Sequence, residues 1–142
     1  MQTMAHVLAA KGARIWSISP DATVFEGLRL MAQKDIGALV VTERGRPIGL
    51  LSERDYTRKV ILRRRSSHET PVRMIMTTPF ETAPLHWSVD ACMALMTSRH
   101  TRHVLIMDGD QLCGLVSIGD VVKATIDEQQ FTIGQLEHYI SS

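Results

Sequence analysis

The stretch "GLLSERD" at residues 49–55 returns as "GLVSIGD" at residues 114–120, with the same residue at four of the seven positions. The shift of 65 residues that aligns these two stretches also lays the second half of the chain on the first without a gap, placing Val24 on Val89 and Met31 on Met96. Similarity at a fixed spacing is typical of duplicated structural units. The sequence therefore predicts two copies of one fold, each carrying this motif.

Length and composition restrict the class of protein. The chain has 142 residues, of which 44% are hydrophobic and 22% charged, with a net charge of +1. Such values are typical of a globular protein and predict no general attraction to nucleic acid or membranes. Neither a secretory signal nor a run of about 18 apolar residues occurs, so we expect a cytoplasmic protein. Cys92 and Cys113 lack C-x-x-C spacing and indicate no zinc or redox motif.

Each repeat predicts the same order of elements, β-α-β-β-α. A short extended segment and a proline precede a helix at about residues 23–34, and the same pattern recurs at about 88–99. Two apolar runs joined by a glycine-containing polar turn then predict a hairpin. The final helix covers about residues 53–62 in the first repeat. In the second repeat it begins near Ile118 and continues toward Ile140, where Gly134 favours a break.

The spacing also predicts domain boundaries and a fold class. We place repeat 1, with an N-terminal lead-in, at residues 1–66, repeat 2 at residues 67–126, and a C-terminal helical extension at residues 127–142. Val7 and Val72 mark equivalent lead-in segments of one or two helical turns. A single β-α-β-β-α unit is too small to bury its sheet. We therefore expect an α/β (α+β) fold in which the two repeats pack sheet to sheet as an intramolecular pair.

The tandem repeat resembles the CBS (cystathionine β-synthase) domain pair. The resemblance rests on V-x-x-x-x-x-x-M in the first helix, on G-hydrophobic-x-S-x-x-D after the third strand, and on "IGALVV", "SERDYTRKVI", "RSS" and "RHVLIMDG". It is greatest to stand-alone CBS-pair proteins of bacteria and plant organelles. The resemblance implies two clefts related by pseudo-twofold symmetry, which bind an adenosine nucleotide such as AMP, ADP, ATP, NAD or S-adenosylmethionine. It also implies a homodimer of pairs.

The resemblance further implies regulation without catalysis. We expect no catalytic residue, no required cofactor and an unknown regulated partner protein, and the chain contains no P-loop, dinucleotide fingerprint or nucleophile elbow. His100 and His103 lack a convincing third ligand, so no metal site is expected. The basic run at residues 63–65 favours a solvated helix end over nucleic-acid binding. The alternative is a ligand-free dimerisation or protein-interaction module.

The central candidate site is the serine and aspartate of each motif, Ser52 with Asp55 and Ser117 with Asp120. A carboxylate can accept hydrogen bonds from both ribose hydroxyls, and a serine at a helix N-terminus can join the free backbone N–H groups in binding phosphate. The glycine three residues before each serine would let a base or sugar approach the backbone. The same spacing is also that of an ordinary helix cap, and both interpretations stay open.

The remaining candidates follow from the resemblance and differ between the repeats. Basic residues at the start of the middle strand reach phosphates in similar proteins. Arg102 and His103 stand there in the second repeat, whereas the first repeat has Gly37 and Ala38. Arg102 would hydrogen-bond a phosphate and His103 could respond to pH, or both simply form a polar strand start. Arg54 either contacts phosphate or lies in solvent. With the first-strand residues that line the base pocket in similar proteins, the predicted nucleotide-binding set is Ser17, Ile18, Ser19, Gly37, Ala38, Ser52, Arg54, Asp55, Thr82, Ala83, Arg102, His103, Val104, Ser117 and Asp120.

Overall fold

The chain forms two compact units in a computed structural model that describes residues 1–12 and 14–141. The first-repeat unit is Arg14–Phe80, and the second-repeat unit combines Met1–Ala13 with Glu81–Ser142. Each lead-in segment belongs to the unit of the other repeat and not to the repeat that it leads into along the chain. Residues 1–12 join the second repeat, and residues 72–79 join the first.

The elements follow the predicted order in both repeats. In chain order they are α1 (Met4–Lys11), β1 (Ser17–Ile18), α2 (Val24–Lys34), β2 (Ala38–Glu43), β3 (Arg46–Ser52), α3 (Glu53–Tyr56), β4 (Thr82–Pro84), α4 (Val89–Arg99), β5 (His103–Asp108), β6 (Gln111–Ser117) and α5 (Ile118–Ser141). A π-helical turn, Thr57–Ile61, continues α3, and a 3-10 turn, Val72–Met74, stands in the second lead-in segment.

Two three-stranded sheets of identical topology form the centres of the units. In the first-repeat unit, β1 runs parallel to β2 and β2 pairs antiparallel with β3. In the second-repeat unit, β4, β5 and β6 repeat this arrangement. The predicted α+β class and the tandem repeat are therefore confirmed. Ala38 pairs with Ser52, and His103 pairs with Ser117, so the start of each middle strand lies beside the end of the third strand.

Local sequence explains the first helix of each repeat. The Thr23 hydroxyl accepts a hydrogen bond from the backbone N–H of Glu26, whose carboxylate accepts one from the Thr23 backbone N–H. Such a reciprocal cap satisfies two backbone donors that the helix itself leaves unpaired. Ser88 caps α4 through the backbone N–H of Ala91. The equivalent methionines Met31 and Met96 are both buried, so the duplicated apolar positions form the core of each unit.

Three segments differ from the predicted helices. The helix expected over residues 53–62 is regular only as far as Tyr56, after which Leu62 donates a hydrogen bond to the carbonyl of Thr57, five residues back. Helix α5 is continuous through Gly134, since one exposed glycine costs only about 1 kcal/mol in a helix. The second lead-in segment is helical for three residues only, because Thr77 then exchanges backbone hydrogen bonds with Leu50 on the edge of β3.

Candidate functional site

In each unit the predicted serine and aspartate lie where the third strand ends and the next helix begins. The backbone N–H of Glu53 donates to the carbonyl of Gly37 over 3.1 Å, and the backbone N–H of Ile118 donates to the carbonyl of Arg102 over 2.9 Å. The residue before each middle strand is thereby fixed beside the helix start. The structure thus brings together two matching groups of predicted residues: Gly37, Ala38, Ser52 and Asp55 in one unit, and Arg102, His103, Ser117 and Asp120 in the other.

The other predicted residues lie elsewhere on the sheets or face solvent. Ser17 and Ile18 pair with Val40 and Val41, two positions beyond the start of β2, and Thr82 and Ala83 occupy the same positions in the second sheet. Ser19 follows β1, and its hydroxyl accepts a hydrogen bond from the backbone N–H of Asp21. The side chains of Ala83 and Val104 belong to the buried core of the second-repeat unit, and their place in the nucleotide-binding set stays a prediction. Arg54 is exposed beside Asp55.

Both carboxylate oxygens of Asp55 are occupied by protein groups. Oδ2 accepts hydrogen bonds from the backbone N–H and the hydroxyl of Ser52, each over 3.0 Å. Oδ1 lies 2.9 Å from the Thr77 hydroxyl and 2.9 Å from Nζ of Lys59. Asp55 is only 6% exposed. The first-repeat motif therefore acts as a helix cap, and its carboxylate also holds the second lead-in segment through Thr77.

Asp120 is more open than Asp55. Its Oδ2 accepts hydrogen bonds from the backbone N–H of Ser117 over 2.8 Å and from Nζ of Lys11 over 2.6 Å. Within the described part of the chain, both of these hydrogen bonds end on Oδ2 and none ends on Oδ1. The side chain is 22% exposed. Helix capping therefore leaves one oxygen of this carboxylate available to another donor.

The charge state of Asp120 follows from its surroundings. Burial acts to raise the pKa of Asp120, but the hydrogen bonds from Lys11 and Ser117 and the positive charge of Lys11 together lower that pKa below its ordinary value. The carboxylate is consequently ionised at neutral pH. An ionised carboxylate accepts hydrogen bonds and cannot donate them, so a ligand that binds Oδ1 must present a donor such as a sugar hydroxyl.

Each aspartate binds a lysine, but the two lysines come from different elements. Lys59 lies four residues after Asp55 and also donates to the carbonyl of Ile75. Lys11 comes from α1 and also donates to the carbonyl of Leu115. The 65-residue shift aligns Lys59 with Ala124 and Lys11 with Met76, so neither lysine is duplicated. Comparison of the two repeats therefore does not reveal that both aspartates bind a lysine. Only the pair of Asp55 and Lys59 could be predicted from the sequence, because opposite charges four residues apart on a helix lie close together.

The glycine of each motif makes room for a lead-in segment. A Cβ atom on Gly49 would lie 2.7 Å from Sδ of Met76 and 3.2 Å from the carbonyl oxygen of Thr77. On Gly114 it would lie 2.5 Å from Cδ2 of Leu8. The lead-in segments therefore occupy the space where a side chain at Gly49 or Gly114 would lie. The expected approach of a base or sugar to these glycines stays a prediction.

The described residues contain neither a membrane-spanning helix nor a cluster of metal-binding side chains. No helix within residues 1–12 and 14–141 has both the length and the apolar character needed to cross a bilayer. Over the same residues, no three histidine, cysteine, aspartate or glutamate side chains are grouped as metal ligands would be. His100, one of the two histidines considered from the sequence, instead ends α4 in a left-handed backbone conformation with φ 52°.

Comparison with known families gives a match over most of the chain. The family model described as "CBS domain" matches residues 13–62 and again residues 72–127. The mitochondrial CBS domain-containing protein CBSX3 of Arabidopsis thaliana is 37% identical over 137 residues. That alignment covers 93% of this chain and 66% of the Arabidopsis protein, so the chain spans just under two thirds of the length of this relative.

Solved structures agree with this match. A protein with CBS domains from Burkholderia ambifaria superimposes with a TM-score of 0.87 at 44% identity, covering 93% of this chain and 99% of that one. A CBS domain protein from Pyrobaculum aerophilum, solved in complex with AMP, superimposes with a TM-score of 0.74 at 26% identity. The second alignment covers 84% of this chain and 89% of that one. The similarity therefore extends over both repeats.

Proposed function

Because the chain belongs to the CBS domain family, we propose that it is a non-catalytic regulatory module that binds an adenosine nucleotide and signals its occupancy to a partner protein. The AMP complex of the Pyrobaculum relative supports the ligand class. The candidate ligands are AMP, ADP, ATP, NAD and S-adenosylmethionine, each of which carries the ribose hydroxyls that a carboxylate can bind.

The difference between Asp120 and Asp55 carries the proposal. Both aspartates stand in the same motif, yet only Asp120 combines partial exposure with an oxygen that accepts no hydrogen bond within the described residues. Asp55 uses both oxygens on Ser52, Thr77 and Lys59. A ribose can therefore bind Oδ1 of Asp120 without displacing a contact with any of the described residues, whereas at Asp55 it must displace one. The second-repeat unit is the proposed nucleotide site.

Arg102 supports the same unit. Its side chain is exposed, and its carbonyl is hydrogen-bonded to the first residue of α5, so it stands at a helix N-terminus. A guanidinium and the positive end of a helix both favour phosphate groups. The equivalent residue of the first repeat, Gly37, has no side chain to offer. We therefore expect nucleotides with phosphate groups to bind more tightly than adenosine alone.

Signalling would pass through Lys11. A ribose hydroxyl that binds Asp120 shares this carboxylate with Lys11, which ties α1 to the second-repeat unit. Occupancy would then change how firmly α1 is held. A ligand shifts a conformational equilibrium only when it binds one state more tightly than the other, and the contact between Lys11 and Asp120 would provide that difference.

Calorimetry and thermal-shift measurements with the five nucleotides test the proposal. A nucleotide at one hundred times its Kd should stabilise the protein by about 2.7 kcal/mol. Asp120→Asn should weaken binding by on the order of tenfold or more, because it removes a charged acceptor. Asp55→Asn should leave the affinity of the folded protein within about threefold of the wild type.

Lys11→Met provides the matched control for Asp120→Asn. It breaks the same ion pair but leaves the carboxylate in place and frees Oδ2, so nucleotide affinity should stay the same or rise. Equal losses in Lys11→Met and Asp120→Asn would mean that the aspartate acts through the ion pair and not on the ribose. No binding of any of the five nucleotides to the wild type would contradict the proposed function itself.

A ligand-free interaction module is the second candidate. The observation that favours it is that the Ser52 hydroxyl and both carboxylate oxygens of Asp55 serve internal contacts, which is what a purely structural cap requires. Purified protein that carries no nucleotide, binds none and still associates with itself or with another protein would support this alternative. Self-association as a homodimer is expected under both candidates.

Two predictions on location and nucleic acid accompany the proposal. We expect a cytoplasmic protein, and since the Arabidopsis relative is named as mitochondrial, cell fractionation is the appropriate test. Binding of nucleic acid through Arg63, Arg64 and Arg65 is not expected. A mobility shift at low salt that weakens steeply as salt is added would contradict this expectation.

A further inference from the structure

Helix α5 carries an apolar stripe that lies to one side of the face packed on its own unit. The packed face is formed by the buried Val121 and Ala124 with the half-buried Thr125 and Glu128. The stripe lies about a quarter-turn around the helix from this face, given 100° per residue. All of its apolar side chains are exposed: Val122, Ile126, Ile133, Leu136 and Ile140.

The spacing along the stripe alternates between four and three residues. With Gln129 included, the positions 122, 126, 129, 133, 136 and 140 form an unbroken heptad pattern. Ile126, Ile133 and Ile140 take the a positions, and Val122, Gln129 and Leu136 take the d positions. A repeat of this kind keeps one face of a helix against a second helix. Isoleucine at every a position, with leucine at the d position 136, favours two strands.

Charges beside the stripe do not oppose pairing with an identical helix. In a parallel pair, each g residue faces the e residue five positions later on the other helix, which matches Thr125 with Gln130 and Thr132 with Glu137. No like charges meet in these pairs. The acidic Asp127 and Glu128 fall at the outer b and c positions, away from the partner helix.

Gln129 selects the direction of the second helix. In a parallel pair it meets its own copy, and the two amides can donate to and accept from each other. In an antiparallel pair with matched layers, Gln129 meets Ile133, and its amide is left without a partner, although Lys123 would then face Glu137. A buried unpaired amide is costly, while exposed ion pairs contribute little. The parallel arrangement is therefore favoured.

We propose that residues 122–140 of α5 form a parallel two-stranded coiled coil with the same helix of a second copy of this chain. The occupant is a second copy because the stripe is complementary to itself in every layer, including its one polar layer. This interface is independent of nucleotide binding, so it holds whether or not the proposed ligand binds.

Sedimentation equilibrium of stripe and control variants tests the interface. The double variant Ile133→Asp with Leu136→Asp places charges in two adjacent layers, and the dimer dissociation constant should rise by on the order of tenfold or more. Phe131→Asp is the matched control, since Phe131 is 67% exposed on another face of the same helix, compared with 55% for Ile133 and 57% for Leu136. It should dimerise as the wild type does. Equal effects of the stripe and control variants, or a wild-type monomer at high concentration, would overturn the proposal.

Disulfide cross-linking tests the direction. Cys113→Ser removes the more exposed native thiol, and Cys92 is buried, which also raises the pKa of its thiol. In this background Gln129→Cys should form a covalent dimer rapidly on mild oxidation, whereas Asp127→Cys at an outer position should not. A wild-type dimer in which Gln129→Cys fails to cross-link would overturn the parallel arrangement. Circular dichroism should show that all these variants keep the wild-type helix content.

Discussion

Lys11 and Asp120 join the beginning of the described chain to its last helix, with Nζ of Lys11 lying 2.6 Å from Oδ2 of Asp120. The same ammonium donates to the carbonyl of Leu115, so two contacts from one side chain hold α1 to the second-repeat unit. The first-repeat unit achieves the equivalent result with Lys59, which bridges Asp55 and the carbonyl of Ile75. The positions of both lead-in segments therefore depend on a lysine and the aspartate of the repeated motif.

Lys11→Met should destabilise the second-repeat unit. Methionine is the residue at the equivalent position of the first repeat, so its apolar stem fits while the charged hydrogen bonds are lost. We expect the free energy of unfolding to fall by about 1–2 kcal/mol in urea denaturation. Lys123→Met, which changes an exposed lysine of the same unit, should stay within about 0.5 kcal/mol of the wild type. Equal losses would show that the Lys11 ion pair adds nothing specific.

The effect of Lys11→Met should depend on pH. The pKa of Asp120 is lowered in the folded protein, so its ionised form contributes stability at pH values above the unfolded pKa. This contribution is lost as the pH falls through the folded pKa. The stability difference between the wild type and Lys11→Met should be constant from about pH 7 to about pH 5 and shrink below about pH 4. Urea unfolding at several pH values measures it, and a difference that grows on acidification would contradict this account.

Asp55→Asn should cost more stability than Asp120→Asn. The Asp55 carboxylate accepts from Ser52, Thr77 and Lys59 at a nearly buried position, and an amide cannot accept from all of them. We expect a loss of about 2–4 kcal/mol for Asp55→Asn and about 1–2 kcal/mol for Asp120→Asn. Urea denaturation compares the two variants directly. The reverse order would mean that exposure does not govern how firmly the two motifs hold their lead-in segments.

Substitution by alanine should destabilise the protein at the motif glycines, Gly49 and Gly114, but not at Gly134. In Gly49→Ala and Gly114→Ala the added methyl group meets Met76 or Leu8, and we expect each to lose about 1–3 kcal/mol. Gly49 should be the more sensitive, since its second neighbour is the backbone carbonyl of Thr77, which cannot rotate away.

Gly134→Ala is the control for these two variants. No atom of the described residues lies within 4 Å of its added methyl group. The free energy of unfolding should therefore rise by up to about 1 kcal/mol, the helix preference of alanine over glycine, and helicity measured by circular dichroism should rise or stay the same. Loss of stability in Gly134→Ala, or none in Gly49→Ala, would contradict the close approach of the second lead-in segment to β3.

The sequence was sufficient for those features that depend on local patterns or on duplication. The repeated Ser-x-x-Asp placed a helix start after each third strand, and the spacing of Thr23 and Glu26 predicted a reciprocal cap that the structure contains. Contacts between distant segments could not be predicted in this way. Nothing in the sequence near Asp120 indicates Lys11, and nothing near Gly49 indicates Met76.

Differences between the repeats were predicted only where the residues themselves differ. The sequence shows that Arg102 stands in the second repeat where the first repeat has Gly37, and Arg102 remains part of the proposed site. The unequal exposure of Asp55 and Asp120 was not visible, because the two residues are identical and their partners come from unaligned positions. The π-helical turn after Tyr56 has no local signature that distinguishes it from the regular helix that opens α5.

The division of the chain between the two units has a consequence for the order in which it folds during synthesis. The first-repeat unit, Arg14–Phe80, is one continuous segment and has all its contacts available once that segment has left the ribosome. Helix α1 is made before this segment, but its packing partners in β6 and α5 are made after it. Helix α1 must therefore wait, with Leu8 uncovered, until β6 and α5 have been made. A chaperone that binds the nascent chain would find its target there.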